Sequence, residues 1–271
     1  MPVINTNVAS LNAQLALNKN SRLLSTSMQQ LSTGSRINSA GDDAAGLAIM
    51  QNQTSQVRGL NMAVRNMNDG VNLLQTADGA LVETSNMLQR MRELAVQSSS
   101  GTYSTTQRGY LQTEFSSLAS QIDSIGSQTT WNGQYLLSGT TFSFQTGNGI
   151  SNSVSVTITS MTLSGLSLTS LAVSIGAVAA ASSAMTAVDT ALDRVNGQRA
   201  VLGATINQLT YATDSASNIS ANIAASRSTI ADTDYATASS NLSKAQIIQQ
   251  AATAMLAQAN SQPQSVLALL K

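Results

Sequence analysis

From Val57 to Leu88 the chain reads VRGLNMAVRNMNDGVNLLQTADGALVETSNML. Apolar residues recur there at alternating steps of three and four: Val57, Leu60, Val64, Met67, Val71 and Leu74, then Leu81 and Leu88. That spacing holds them on one stripe of an α-helix and describes a coiled-coil seam. A second seam toward the other end runs Met185, Val188, Leu192, Val195, Leu202, Ile206 and Leu209. Between Asp123 and Asp189 there is no Asp, Glu, Lys or Arg. Two patterned ends around an uncharged middle read as an assembly unit whose ends pair with each other.

Working outward, the only prolines are Pro2 and Pro263, so no missing amide breaks a helix between them. A first helix is expected over residues 5–33, with Val8, Leu11 and Leu15 on its apolar stripe and, after a phase shift, Leu24, Met28 and Leu31. Gly34 and residues 38–46 supply a loop, in which Gly41-Asp42-Asp43 marks a turn and a helix start with acids in its first turn. The second helix covers 44–99 and the third 105–127, the latter with a seam at Leu111, Phe115, Leu118, Ile122 and Ile125. Trp131-Asn132-Gly133 is a turn signal, after which Phe142 and Phe144, then Val154, Val156 and Ile158, alternate with hydroxyl residues as short strands. The last helix, 236–260, presents Leu242, Ile248, Ala252, Met255 and Ala259 and stops at Pro263.

The expected fold is therefore mainly α: a long antiparallel coiled-coil helical rod formed by both chain ends, with a small β-rich outer cap. Asp78, Ser85 and Arg92 interrupt the first seam, as Arg199 and Thr213 interrupt the second. Such residues either fix register at some cost in stability or mark turns where the seam faces solvent.

With 13 acidic and 13 basic residues, the formal charge is zero. This gives no pull toward nucleic acid or anionic membrane and little repulsion between copies of the chain. The absence of both Cys and His removes Ser-His and Cys-His catalysis, imidazole or thiolate zinc sites, and the usual proton shuttle near neutral pH. No converging set of polar groups marks a catalytic site, so neither an enzyme nor a cofactor is expected. Residues 166–188 are uncharged and long enough to span a bilayer. Ser167, Thr169, Ser170, Ser174, Ser182, Ser183 and Thr186 interrupt that stretch, and stable membrane insertion is not expected. No cleavable leader is visible, because the first charged residue is Lys19 and polar residues break the apolar positions before it.

The stretches Ile4-Asn5-Thr6-Asn7, residues 31–38 (LSTGSRIN), residues 41–49 (GDDAAGLAI) and residues 89–95 (QRMRELA) resemble the N-terminal signature of bacterial flagellin. Residues 257–260 (AQAN) and 263–267 (PQSVL) resemble its C-terminal end. The likeness covers about residues 1–138 and 183–271. It implies residues 1–43 and 233–271 as the two halves of an inner coiled-coil domain, 44–138 and 181–232 as the halves of a surrounding helical domain, and 139–180 as the cap. It further implies a structural subunit that polymerises into the flagellar filament for motility, secreted to the bacterial flagellum and exported unfolded by the flagellar type III apparatus. The implied partners are other flagellin subunits in a homopolymer, an export chaperone, the filament cap and junction proteins, and innate immune sensors. The short insertion leaves no room for large outer domains, and without His no metalloprotease insertion is possible.

By the same resemblance, Gln89, Arg90, Leu94, Gln97 and Glu114 match the surface bound by the flagellin-sensing Toll-like receptor, a surface that also meets the next subunit. Heptad arithmetic places Arg90, Leu94 and Gln97 outward, because Leu88 and Ala95 hold the inward positions. An outward Leu94 is anomalous, as is Met87, and is either an interface anchor or covered by a neighbouring helix. Val8, Leu11, Leu15, Leu256, Val266, Leu267, Leu269 and Leu270 match residues of the inner core. The resemblance assigns the C-terminal leucines also to cytosolic sensors and the C-terminal helix to the chaperone. The uncharged cap offers hydroxyls either for O-glycosylation or for plain hydration. Competing readings are a hook-filament junction protein and a secreted coiled-coil effector or membrane-active translocator using residues 166–188.

Overall fold

The computed structural model describes residues 6–168 and 174–268, with side chains described as far as 262. Among these are five helices, α1 (Val8–Thr33), α2 (Ala44–Ser99), α3 (Thr105–Gln128), α4 (Val178–Ala231) and α5 (Tyr235–Ala268), with four short strands between α3 and α4. The chain is mainly helical, and its N- and C-terminal helices pack on one another. It divides into two compact units, residues 1–56 with 222–271, and residues 57–221.

In the first unit α1 and α5 run antiparallel: the Asn7 amide donates to the Ala259 carbonyl at 2.7 Å and the Asn20 amide to the Ala245 carbonyl, also at 2.7 Å. The residues of α1 that lose exposure are Ser10, Ala13, Leu17, Asn20, Leu24, Ser27, Gln30 and Leu31, and on α5 Ala238, Leu242, Ala245, Gln249, Ala252, Leu256 and Ala259. Both sets follow the three-four step, so this is a coiled-coil seam, but one built largely of small and polar side chains. It differs from the apolar stripe expected of the sequence: Val8, Leu11, Leu15 and Met28, and on α5 Ile248 and Met255, are exposed. The helix also runs on past Pro263 to Ala268 rather than stopping there.

The two helix junctions of this unit are tied together. Gly34, at φ 70°, closes α1 in the left-handed conformation that a side chain resists, and its N–H returns to Gln30. The Arg36 N–H donates to the Ala231 carbonyl, the Thr233 N–H to the Gly34 carbonyl, and the Arg36 guanidinium to the Ile230 carbonyl at 2.7 Å. A cation on the last carbonyls of α4 opposes the negative end of that helix. The acids expected in the first turn of α2 stand just before it, and Asp43 accepts the Gly46 N–H as a cap.

In the second unit, residues 57–99 of α2 and 178–221 of α4 are antiparallel and share a core of Leu60, Met67, Leu74, Leu81, Leu88, Val188, Val195, Leu202 and Leu209. Two of the seam interruptions pair with each other: Arg199 donates to Asp78 across the helices at 2.8 Å, both side chains about one-third exposed. Arg92 likewise reaches Asp189 at 2.6 Å. Ser85 is buried, and the Thr213 hydroxyl is buried without a partner. Asp78, Ser85, Arg199 and Thr213 thus continue the seam, while Arg92 stands at its exposed rim. Ion pairs of this exposure contribute about 0–1 kcal/mol.

Helix α3 begins with a capping box, Ser104 accepting from the Gln107 N–H while the Gln107 side chain accepts from the Ser104 N–H. It buries Phe115, Ala119, Ile122 and Gly126. Asn132-Gly133, both at positive φ, then turn the chain tightly between β1 (Thr130–Trp131) and β2 (Gln134–Tyr135). β3 (Thr141–Gln145) pairs antiparallel with β4 (Ser153–Thr157), which places buried Phe142 opposite buried Val156. This hairpin lies on the helices, with the Phe144 ring over Gly70 and Gln198 bonded to Thr157 and Thr159.

The stretch after the hairpin also packs on the helices of this unit. Ile158, Met161, Leu166, Leu168 and Ile175 are buried, Leu163 donates to the Asp123 carboxylate, and the Met161 backbone lies against Gly126. No helix among the described residues is long and apolar enough to cross a membrane. Of the stretch considered for that role, residues 169–173 lie outside the described residues.

Candidate assembly and recognition surfaces

The first surface is the outward side of α1 and α5. Val8, Leu11 and Leu15 stand on one stripe of α1 at 52, 54 and 61% exposure, while Ile247 and Met255 of α5 stand at 66 and 65%. The side chains these helices turn toward each other mix five leucines with Ala, Ser, Asn and Gln, while large apolar side chains also stand on the outer side. Full burial of a Leu or Val contributes roughly 1.5–3 kcal/mol, so part of the apolar stabilisation available to α1 and α5 is left unused by their own pairing. Of the residues assigned to this surface, Leu256 belongs instead to the α1·α5 seam, where it is half-buried. Val266 and Leu267 fall on α5 beyond the described side chains, and Leu269 and Leu270 lie outside the described residues.

The second surface is the outward face of α2 near its C-terminal end, in the second unit. The Arg90 guanidinium donates to Glu114 of α3 and to Glu93, both at 2.9 Å. Hydrogen bonding to Glu93 and then to Glu114 raises the Arg90 pKa above its ordinary value, so the guanidinium stays charged. Gln97 donates to the Tyr103 hydroxyl at 3.0 Å. Gln89, Arg92, Glu93, Val96 and Gln97 line a shallow, open depression.

Leu94 is not part of that face: it is 1% exposed and sits with Met91 in the core. Two-helix arithmetic assigns α2 a single inward stripe, whereas α4 and α3 together bury a wider sector, here Leu88, Met91, Leu94, Ala95 and Ser98. The apolar residue that does face outward is Val96, 47% exposed. Reading the sequence for two apolar stripes on α2 rather than one would have found it. Arg90, Glu114, Gln89 and Gln97 are all exposed, and the first two touch.

Paired chain ends bearing outward apolar stripes define a helical self-assembling subunit. The models for the bacterial flagellin N-terminal helical region and C-terminal helical region match residues 4–141 and 185–270. The chain is 41% identical over 271 residues to a flagellin of Halalkalibacterium halodurans, covering 99% of this chain and 100% of the other. It is 40% identical to a flagellin of Bacillus subtilis and 38% identical to the flagellar filament 30.7 kDa core protein of Treponema maltophilum, each match covering 99% of both chains. The crystal structure of Bacillus cereus flagellin superposes with a TM-score of 0.51 at 30% identity, covering 59% of this chain and 94% of that one. A putative flagellar hook-associated protein from Vibrio parahaemolyticus shares the fold, with a TM-score of 0.59 at 16% identity over 70% of this chain and 99% of that one.

The chain belongs to the bacterial flagellin family. It is a structural, non-enzymatic subunit of the extracellular flagellar filament that serves motility, and it polymerises with other flagellin subunits.

Proposed function

We propose that polymerisation runs through the outward stripes of α1 and α5, with residues 1–43 and 233–271 as the inner layer, 44–138 and 181–232 around it, and 139–180 outermost. The observation that supports this is the exposure of Leu11, Leu15, Ile247 and Met255 beside a seam in which only Asn20, Ser27, Ala238 and Ala245 are fully buried and the leucines are half-buried. A helix pair with so little apolar burial of its own is marginal until a neighbour covers it. That marginality also suits passage through the flagellar type III apparatus as an unfolded chain, with an export chaperone covering the C-terminal helix beforehand and the filament cap and junction proteins meeting it at the two filament ends. Purified chains lacking residues 1–33 or 236–271 are expected to remain helical and soluble yet form no filaments with seeds under negative-stain microscopy. Ordinary filaments from either truncation would overturn the reading.

The surface around Arg90 supports a second role, in recognition of the monomer by the flagellin-sensing Toll-like receptor. Gln89, Arg90, Gln97 and Glu114 would supply the polar contacts, Val96 the apolar one, and Leu94 the packing beneath. Cytosolic sensors would read the C-terminal leucines. Arg90→Ala should lower receptor signalling by monomer about tenfold, the equivalent of roughly 1.4 kcal/mol. Unchanged signalling in a reporter assay would show that the patch lies elsewhere.

A further inference from the structure

We infer that Asn7 and Pro263 form a matched pair that sets the register in which the two chain ends dock. In a regular helix the Ala259 carbonyl accepts from the N–H four residues on. That residue is Pro263, which has no N–H. Since α5 continues through it to Ala268, the Ala259 carbonyl loses its partner within the helix. The Asn7 side-chain amide stands at that carbonyl, donating at 2.7 Å across the antiparallel pair.

The other half of the same amide is also used. The Asn7 side-chain oxygen accepts the Ser10 N–H at 3.0 Å and caps α1. One side chain therefore satisfies an orphan donor at the start of one helix and an orphan acceptor inside the other. The neighbouring contact, the Ser10 hydroxyl to the Asn260 side chain at 2.8 Å, holds the same register. The second asparagine differs in kind. Asn20 donates to the Ala245 carbonyl, whose helical partner, Gln249, has an N–H to give. A shift of α5 by a turn would leave Asn20 a carbonyl of the same kind, whereas only one carbonyl in α5 stands four residues before a proline. Proline here creates a unique acceptor, and asparagine is the side chain that reads it while still capping its own helix.

The inference rests on the polymerisation reading, and the test separates the two. The critical concentration for seeded polymerisation would be measured for the full chain and for Asn7→Ser, Pro263→Ala and their combination. Serine caps a helix about as well as asparagine but is too short to carry an amide across to α5. An unpaired, partly buried carbonyl should then raise the critical concentration about tenfold for Asn7→Ser in the parent. With Pro263→Ala, which returns an N–H to the Ala259 carbonyl, the same change should raise it less than about threefold. Equal factors in both backgrounds would overturn the pairing, because the cycle isolates the coupling from any effect of either substitution alone. Failure of the parent itself to polymerise would count against the polymerisation reading instead.

Discussion

Leu94 and Arg90 occupy neighbouring turns of one helix and have opposite fates, which decides how each substitution is to be read. Leu94 is buried in the core, so Leu94→Ala should cost about 2–5 kcal/mol in the thermal or urea unfolding of the monomer. Arg90, with 49% of its side chain exposed, should cost within about 1 kcal/mol when changed to Ala. Only the second substitution probes recognition without disturbing the fold. Two further residues make the helix junctions sensitive to acid. The Asp234 carboxylate accepts from the Thr237 hydroxyl and from the Thr237 and Ala236 N–H groups, and Asp42 accepts from the Asn38 and Ser39 N–H groups and the Ser39 hydroxyl; these bonds hold both pKa values below the ordinary one. A carboxyl depressed in the folded state contributes stability above its unfolded pKa, near 4, and loses it as pH falls through the folded value. Circular dichroism of filaments titrated into acid should show helix loss beginning below about pH 4, and Asp42→Asn with Asp234→Asn should remove that part of the acid sensitivity.

At the scale of the element, the start of α2, the turn and the longer strands were legible in the sequence because each carries its own local signal: Asp43 before α2, Asn132-Gly133 at the turn, and alternation through Phe142–Phe144 and Val154–Val156. The seam of α1 and α5 was legible only in part. Leu24, Leu31, Leu242, Ala252 and Ala259 of the expected stripes lie on it, but periodicity follows apolar residues, and Val8, Leu11, Leu15, Met28, Ile248 and Met255 face away, while Ser10, Ala13, Asn20 and Ser27 face the partner. The burial of Ile158, Met161, Leu166, Leu168 and Ile175 was equally hidden, since a stretch without charge or period reads as loop whether or not helices cover it. Helical glycines test the packing in both directions. A methyl at Gly126 would meet the Met161 carbonyl oxygen at 2.7 Å, a backbone atom that cannot swing aside, so Gly126→Ala should destabilise the monomer by about 1–3 kcal/mol. Gly79 has nothing within 4 Å, and Gly79→Ala should raise stability by up to about 1 kcal/mol through helix propensity alone. Melting temperatures of the two variants should therefore move in opposite directions.

Across the whole molecule the apolar residues fall into two groups. Those of the second unit, from Leu60 to Leu209, close a core within one chain, whereas Leu11 and Leu15 are exposed and, in the proposed polymer, are covered by another copy. Composition pointed the same way: zero net charge, no Cys and no His exclude most chemistry and favour close packing of like with like. What composition could not say is which faces are spent inside the chain and which between chains, because both obey the same three-four step. Seeded polymerisation of the full-length Leu11→Glu, Leu15→Glu double variant tests this most directly. The account predicts a soluble monomer with parental unfolding of residues 57–221 and no filament growth from seeds. Filaments elongating at the parental rate would contradict it.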